Sequence, residues 1–531
     1  MNIKEILDEL KNDKDLTVTF SGNSDIEVKG ISNDSRKINR GCLFAARKGS
    51  CVNSNEFIQG AIYNGAVGVL TDDIGFDLKL NAAGAAIPVI KTNNALKAYA
   101  LISRLFFKNP GNEMTLIGIT GTNGKTTTTF LIKSILKAYG FDSGIIGTIN
   151  YEIGEKSVVP SSNTTPDAYE LNKMLREMRN EDIKFCTMEI SSHSLVQDRV
   201  YGLPLDVAIF SNLTRDHLDY HENMEEYFRA KRKLFFEILD KSTKPRKFAV
   251  INNDDDYGKR LIDEIKARLN GSRGNAPSFN LLTYGLGKGS DIFAGDVEYL
   301  KEGLRININL PGKKKIEVFS NLIGSYNVYN ILSAVSAAIA IGVPEKFIES
   351  GISNLKEVSG RVERINVKNK KAPLVCIDYA HTDDALERVL KALKEITRGR
   401  LISVFGCGGD RDKGKRPLMG KHSSDIADIT IITSDNPRNE NPSLIIKEIE
   451  KGIENADFVG PGMIQEAVPG RHVYFIIEER AKAISMALSI SGDSDTVLIA
   501  GKGHEDYMII KNEKSHFSDK EEVLKFYEDS I

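Results

Sequence analysis

A chain of 531 residues, 41% hydrophobic and 27% charged, is too long for one core and has the composition of a soluble globular protein of about three domains. Its 71 basic and 73 acidic residues leave a net charge of −2, which excludes a global field that recruits nucleic acid or an anionic membrane. The five cysteines (Cys42, Cys51, Cys186, Cys376, Cys407) have no CxxC spacing, and no apolar run nears the ~18 residues of a membrane span, so a disulfide scaffold, a cysteine zinc site and membrane insertion are excluded.

The expected class is α/β in three domains. Residues 1–112 read as a small α/β unit, opened by a charged amphipathic helix over Met1–Asp15 that does not resemble a signal peptide. A polar turn, Ser32-Asn33-Asp34-Ser35-Arg36-Lys37, leads to a strand near Cys42–Ala46, and Ala61–Val69 and Ile87–Ile90 supply further helix and strand. Phe107–Asn112 breaks the pattern and reads as a linker.

Residues 113–356 form the second unit. The apolar run Thr115–Thr120 predicts a buried strand, Gly121-Thr122-Asn123-Gly124-Lys125-Thr126-Thr127 a glycine turn, and Phe130, Leu131, Ile135 and Leu136 recur at helical spacing. Strand, glycine loop and helix together predict a phosphate cradle: backbone N–H groups face the anion, Lys125 reaches the outer phosphates and the Thr126 hydroxyl suits Mg²⁺. Ile119 stands where a strict P-loop has its first glycine, so only the short form is present. Polar clusters follow the later strands as well: Asn163-Thr164-Thr165 precedes a helix, Glu189 to His193 follows Phe185–Met188, Ser211 to His217 follows Val207–Phe210, and Asn252 to Asp254 follows Phe248–Ile251. In open α/β sheets that edge binds ligands. A small antiparallel addition is expected over Ala276–Phe319, and a helix over Ser325–Ile341.

Residues 357–531 repeat the logic around a Rossmann-like, mainly parallel sheet. Strands near 374–377, 401–405, 429–433 and 496–499 lead into Asp378-Tyr379-Ala380-His381, Gly406 to Arg411, Asp435-Asn436-Pro437-Arg438 and Gly501 to Glu505. The GxGG run at 406–409 is not the dinucleotide GxGxxG. Ala456–Arg471 reads as a Gly/Pro-rich surface loop.

Glu189 and His217 each end a strand, which brings both to the sheet edge near Thr126 as candidate Mg²⁺ ligands; a histidine ligand points to a second metal position. Tyr227, Phe228, Lys231, Leu234 and Phe235 share one helical face, so Lys231 points inward, with Arg229, Arg232 and Lys233 on the solvated side. A buried lysine must find a partner or lose its charge.

The phosphate loop, Glu189 to His193, Arg215-Asp216-His217-Leu218-Asp219, Ala230-Lys231, Asn327-Val328-Tyr329-Asn330, Gly360-Arg361 and Asp378 to His381 occur in this order and resemble the Mur ligase family, ATP-dependent amide-forming enzymes of peptidoglycan assembly. The resemblance spans the chain. Asn163-Thr164-Thr165, Gly406 to Pro417 and Asp435-Asn436-Pro437-Arg438 resemble the branch that adds the third residue to UDP-N-acetylmuramoyl-L-alanyl-D-glutamate. It implies a central ATPase domain, an N-terminal UDP-substrate domain and a C-terminal amino-acid domain.

By the same resemblance, Lys125, Thr126, Glu189, His217 and a carbamylated Lys231 serve phosphates and magnesium, and Asn327, Arg361 and Asp378 contact ATP, the last two in a closed state. Asn33, Ser35, Ser50, Cys51 and Val52 contact the uridine part. Asn163, Thr164, Thr165, Ser191, Gln197 and Arg199 hold the sugar peptide. Arg411, Asp435, Asn436, Pro437, Arg438, Gly501 and Glu505 receive the incoming amino acid. Arg438 offers a fork for a second carboxylate and Glu505 an acceptor for its ammonium, which favours meso-diaminopimelate over the alternative, L-lysine. A monomer acting on small molecules in the cytoplasm is expected. The competing readings are a folylpolyglutamate-type or cyanophycin-type ligase, for which the Asp-Asn-Pro-Arg run is not expected, and a nucleotide-binding regulator, against which Glu189, His217 and Lys231 argue.

Overall fold

The computed structural model describes residues 1–47, 53–76, 87–155, 157–161, 163–270, 277–300, 302–367, 372–460, 471–511 and 513–528. Three large sheets follow one another along the chain. The first has five strands, in the order Val18–Ser21, Val89–Thr92, Gly68–Thr71, Cys42–Ala46, Gly30–Ser32, parallel except at Val18–Ser21. The opening helix, Ile3–Asn12, begins at a capping box in which Asn2 and Glu5 satisfy each other's N–H groups, and it buries Ile3, Ile6, Leu7 and Leu10.

The stretch read as a linker is a packed corner. Asn109 adopts a left-handed conformation (φ 51°), Pro110–Glu113 forms a 3₁₀ turn, and Pro110 and Gly111 are buried. Arg176 donates from Nε to the Phe107 carbonyl at 2.9 Å and from Nη2 to the Lys108 carbonyl at 3.0 Å. The Phe107 ring lies 5.0 Å from Tyr169. Pro and Gly marked the bend, but nothing local revealed the arginine 69 residues away in sequence that fastens it.

The central sheet has eleven strands. In its middle, Phe248–Asn252, Val207–Phe210, Thr115–Thr120, Phe185–Glu189 and Ser143–Ile146 lie side by side and parallel. Thr115–Thr120 sits between two strands that come later in sequence, so three neighbouring carboxyl ends open on one cleft, where such sheets bind ligands. The antiparallel addition is present as Ile292–Leu300, Gly303–Asn309 and Lys315–Ser320, continuous with the main sheet; the first strand in that stretch, Asn280–Gly285, instead runs parallel to Phe248–Asn252. Two further antiparallel strands, Asn150–Ile153 and Ser157–Pro160, extend the opposite edge, which periodicity did not indicate.

The third sheet has seven strands, with Leu374–Asp378, Thr496–Ala500, Leu401–Phe405, Ile429–Ile432 and Val473–Ile476 parallel at its centre. Their interiors are mostly apolar and buried, Ser403 and Thr430 being buried polar exceptions, as a sheet covered on both faces requires. A hairpin, Tyr507–Ile510 with Glu513–His516, stands beside it. No helix among the described residues is long and apolar enough to cross a membrane.

Candidate active site

The phosphate loop follows strand Thr115–Thr120 and enters helix Lys125–Ala138 at Gly124. Gly124 has φ 86°, and a Cβ there would stand 2.2 Å from Asn330 Oδ1; at Gly121 it would meet Ser211 Oγ at 1.9 Å. Both glycines are therefore demanded by close approach. No side chain caps this helix, which leaves its first N–H groups facing the cleft, as anion binding requires.

A half-buried and a buried lysine converge on one carbonyl. Lys125 Nζ donates to the Gly121 carbonyl at 3.0 Å and to that of Thr122 at 2.9 Å, and Lys231 Nζ donates to the Gly121 carbonyl at 2.8 Å. Lys231 is 1% exposed and stands 4.6 Å over the Tyr227 ring. Burial lowers the pKa of both, that of Lys231 far below the usual lysine value, with the Lys125 charge adding to the effect. The inward direction read from helical spacing is thus observed, whereas the outer face is less solvated than expected: Arg232 is half-buried over Phe236.

Glu189, 1% exposed, accepts from Thr126 Oγ1 at 2.9 Å and from the Thr148 N–H and hydroxyl at 3.0 Å each. A buried carboxylate and hydroxyl oxygen side by side suit magnesium, a hard cation that prefers oxygen ligands. His217 stands on the Lys231 side of the site, its ring 6.1 Å from that of Tyr227. Its ring lies 5.0 Å from His193 and 3.3 Å from Asp216 Oδ2, and burial brings its pKa down to about 3. Among the described residues no three His, Cys, Asp or Glu side chains converge as a metal cluster.

One cavity joins the second and third units. Asn123, Gly124, Thr126 and Thr127 line one side, Tyr326 and Asn327 another, and Arg361 and Asp378 close it from the C-terminal unit. Arg361 Nη2 donates to Thr126 Oγ1 at 3.0 Å, and Asp378 accepts the Val362 and Ala380 N–H groups at 2.7 Å each. The Asn327 amide is engaged within its own helix segment, donating to the Ile323 carbonyl at 2.6 Å. Sequence reasoning missed Asp384, which accepts from Asn123 Nδ2 at 2.8 Å and Thr214 Oγ1 at 3.2 Å, latching the helix Asp383–Ile396 to the phosphate loop. Only its place six residues after Asp378, in the first turn of a helix, hinted at it.

A second cavity joins the first and second units and is lined by Asn33, Arg47, Tyr151, Asn163, Gln197 and Arg199 among others. Ser35 does not border it; its carbonyl accepts from Asn64 instead. Ser50, Cys51 and Val52 lie outside the described residues. A hydrogen-bonded path runs from this cavity to the phosphate loop. Arg199 donates to the Thr165 carbonyl at 2.6 Å and to Gln197, Thr165 Oγ1 donates to the Glu189 carbonyl at 2.9 Å and lies 3.4 Å from Ser191 Oγ, and the Thr148 and Thr164 hydroxyls share a bond of 3.1 Å. Thr148 was not singled out, since it lies in a glycine turn with no distinguishing neighbours.

The C-terminal unit holds a polar cup. Asn436 Nδ2 donates to Glu505 Oε2 at 2.9 Å, and Asp435, Asn436 and Lys502 are all buried. Gly501 (φ 113°) would bring a Cβ within 3.1 Å of Asp435 Oδ2. Arg438 Nη1 donates to the Gly409 carbonyl at 2.8 Å, and its backbone pairs with the hairpin through Ile509 and Lys511. Pro437 is buried beneath Gly409, whereas Arg411 is exposed at the rim. Burial and the Asp435 charge raise the Glu505 pKa.

A glycine-loop phosphate cradle with a buried and a half-buried lysine, between two cavities, defines a nucleotide-binding enzyme fold of three α/β parts. The Mur ligase middle domain matches residues 119–338, and the Mur ligase, glutamate ligase domain matches residues 360–503. The UDP-N-acetylmuramoyl-L-alanyl-D-glutamate–2,6-diaminopimelate ligase of Clostridium botulinum (strain ATCC 19397 / Type A) is 38% identical over 98% of this chain and 99% of its own length. The enzyme of the same name from Geobacter sulfurreducens is 40% identical, with 97% of each chain covered. A solved structure of a ligase of that name superposes with a TM-score of 0.67 at 30% identity, covering 100% of this chain and 99% of the other. The chain belongs to the Mur ligase family.

Proposed function

We propose that this chain is an ATP-dependent ligase that adds meso-2,6-diaminopimelate to UDP-N-acetylmuramoyl-L-alanyl-D-glutamate. The observation that carries the reading is the Glu189–Thr148–Thr164 path, which links the phosphate loop to the Asn163–Arg199 cavity. Relatives covered over nearly their whole length bear that activity as their name. In this reading the D-glutamyl carboxylate oxygen attacks the γ-phosphorus of ATP, the bond to the β-phosphate oxygen breaks, and ADP leaves. The neutral amine of the incoming amino acid then attacks the acyl carbon, loses a proton and expels inorganic phosphate as the amide forms. Positioning and charge neutralisation dominate such transfers.

Lys125 would swing from the loop carbonyls to the outer phosphates, and Asn33, Asn163, Gln197 and Arg199 would hold the sugar peptide. Thr126 and Glu189 would hold magnesium, which when bound neutralises phosphate oxygens, with His217 and carbamylated Lys231 serving a second position. Burial favours the neutral form of the Lys231 amine, which supports the carbamate, since only an unprotonated amine adds CO₂. Residues 1–112, 113–356 and 357–531 would be the UDP-substrate, ATP and amino-acid domains. In this reading the protein is a monomer acting on small, nucleotide-linked molecules in the cytoplasm. The test is phosphate release measured with each substrate omitted in turn. Release that depends on both the UDP-dipeptide and diaminopimelate supports the reading; release indifferent to either rejects it.

A further inference from the structure

Lys502 is the most enclosed charge of the C-terminal cup. After strand Thr496–Ala500 the chain turns through Gly501 (φ 113°) and Gly503 (φ 53°), and a Cβ at Gly503 would stand 2.7 Å from the Tyr379 side chain. Glycine on both sides lets the backbone fold against the sheet edge and drives the lysine inward, to 0% exposure. Its ammonium lies 3.2 Å from Asn436 Oδ1, 3.5 Å from Asp435 Oδ1 and 3.6 Å from Glu505 Oε2, and 5.6 Å from the Tyr507 ring centroid. The other buried cation nearby, Arg480, is paired through Nε and Nη2 with Asp519 at 2.7 and 2.8 Å. Lys502 therefore stands between the two carboxylates of the cup and leaves their group with one net negative charge.

Resting on the diaminopimelate reading above, we propose that Lys502 is a positioning residue that sets amino-acid specificity, by occupying the place a ligand's bare ammonium would otherwise take between Asp435 and Glu505. It acts in two ways. It fixes the Asn436 amide, whose Oδ1 faces the ammonium and the Ile509 N–H while Nδ2 is turned to Glu505. It also repels a second unaccompanied cation. A distal head with one carboxylate and one ammonium brings its own counter-charge and meets Arg438 at the mouth; a head with an ammonium alone brings none. Discrimination of this kind needs a repulsive element as well as an attractive one.

The test is kcat/KM for diaminopimelate and for L-lysine in wild type, Lys502→Met and Lys502→Gln, with circular dichroism and the KM for ATP as controls. Both substitutions expose two uncompensated carboxylates that lysine's ammonium can satisfy. The ratio of diaminopimelate to lysine is expected to fall at least about tenfold, through the KM values, with the KM for ATP unchanged. A purely structural lysine moves both amino acids alike, and an unchanged ratio in the folded variants overturns the proposal. Should neither variant fold, Glu505→Gln decides, because it removes one carboxylate while Lys502 stays. The ratio must then rise, and a fall overturns the proposal. A wild type that uses neither amino acid defeats the ligase reading itself; a wild type that uses diaminopimelate with no dependence on Lys502 defeats only this one.

Discussion

The phosphate loop and the C-terminal cup handle buried charge in opposite ways. At the loop, Lys125 and Lys231 share the Gly121 carbonyl, and among the described residues neither forms an ion pair. In the cup, Lys502 lies within 3.6 Å of two carboxylates and Arg480 is paired with Asp519. Uncompensated buried cations cost free energy. Lys125 at that site suits a polyanion that arrives from outside, whereas Lys231 is pushed towards the neutral amine, and burial is the main cause of the lowered pKa of both. In the cup one ammonium already offsets one of the two carboxylates, so selection there turns on geometry and on the balance of charges that a ligand brings.

The largest effect should come from emptying the loop. Lys125→Ala is expected to lower turnover by about 10²–10³-fold while circular dichroism stays native, because it removes the charge placed for the outer phosphates. Near-normal turnover in a folded variant would break the contrast at its first term. Next comes Lys231→Ala, expected to lose about 10²-fold and to regain activity with added short carboxylic acids, which supply the anionic oxygens of the proposed carbamate. The sign of the pH effect follows from the lowered amine pKa. The lowered pKa favours the unprotonated amine, which adds CO₂, protonation reverses this as pH falls, and activity lost on acid, CO₂-free dialysis should return with bicarbonate. No rescue by either route would count against the carbamate.

In the cup the expected effects are on choice before rate. Arg438→Ala should reduce the diaminopimelate to lysine ratio by about 10–100-fold in kcat/KM, since one carboxylate loses a charged fork. Equal use of both amino acids by the wild type would remove Arg438 as the selector. The smallest effect is expected at the latch between the two regions. Asp384→Asn keeps the shape but loses the charge accepting from Asn123 and Thr214, and the KM for ATP should rise about 2–10-fold, the worth of one hydrogen bond. An unchanged KM would make the latch incidental.

The same contrast governs what could be read from the sequence. The phosphate loop was legible because its function needs contiguous residues: strand Thr115–Thr120, the glycine turn and helix Lys125–Ala138 fall where periodicity and spacing put them. Lys231 was legible because one helical period placed it among aromatic residues. Thr148 and Asp384 were not, since their partners lie 41 and 261 residues away in sequence and neither has a distinctive neighbourhood. His217 does not end its strand: it follows Val207–Phe210 by seven residues, in a left-handed backbone (φ 53°) with its ring 5.0 Å from that of His193. Spacing cannot foresee such a turn at a residue other than glycine. The packed corner at Phe107–Glu113 failed for the same reason as Thr148: the arginine that holds it comes from a distant helix, Ala168–Asn180.

The central claim is that the phosphate loop activates a carboxylate delivered from the Asn163–Arg199 cavity. The most direct test uses UDP-N-acetylmuramoyl-L-alanyl-D-glutamate carrying ¹⁸O in the D-glutamyl side-chain carboxylate, with ATP and diaminopimelate, followed by mass analysis of the released phosphate. An acyl-phosphate route transfers one labelled oxygen to each phosphate as the amide forms. Phosphate released without label, while the tripeptide product accumulates, would contradict the account.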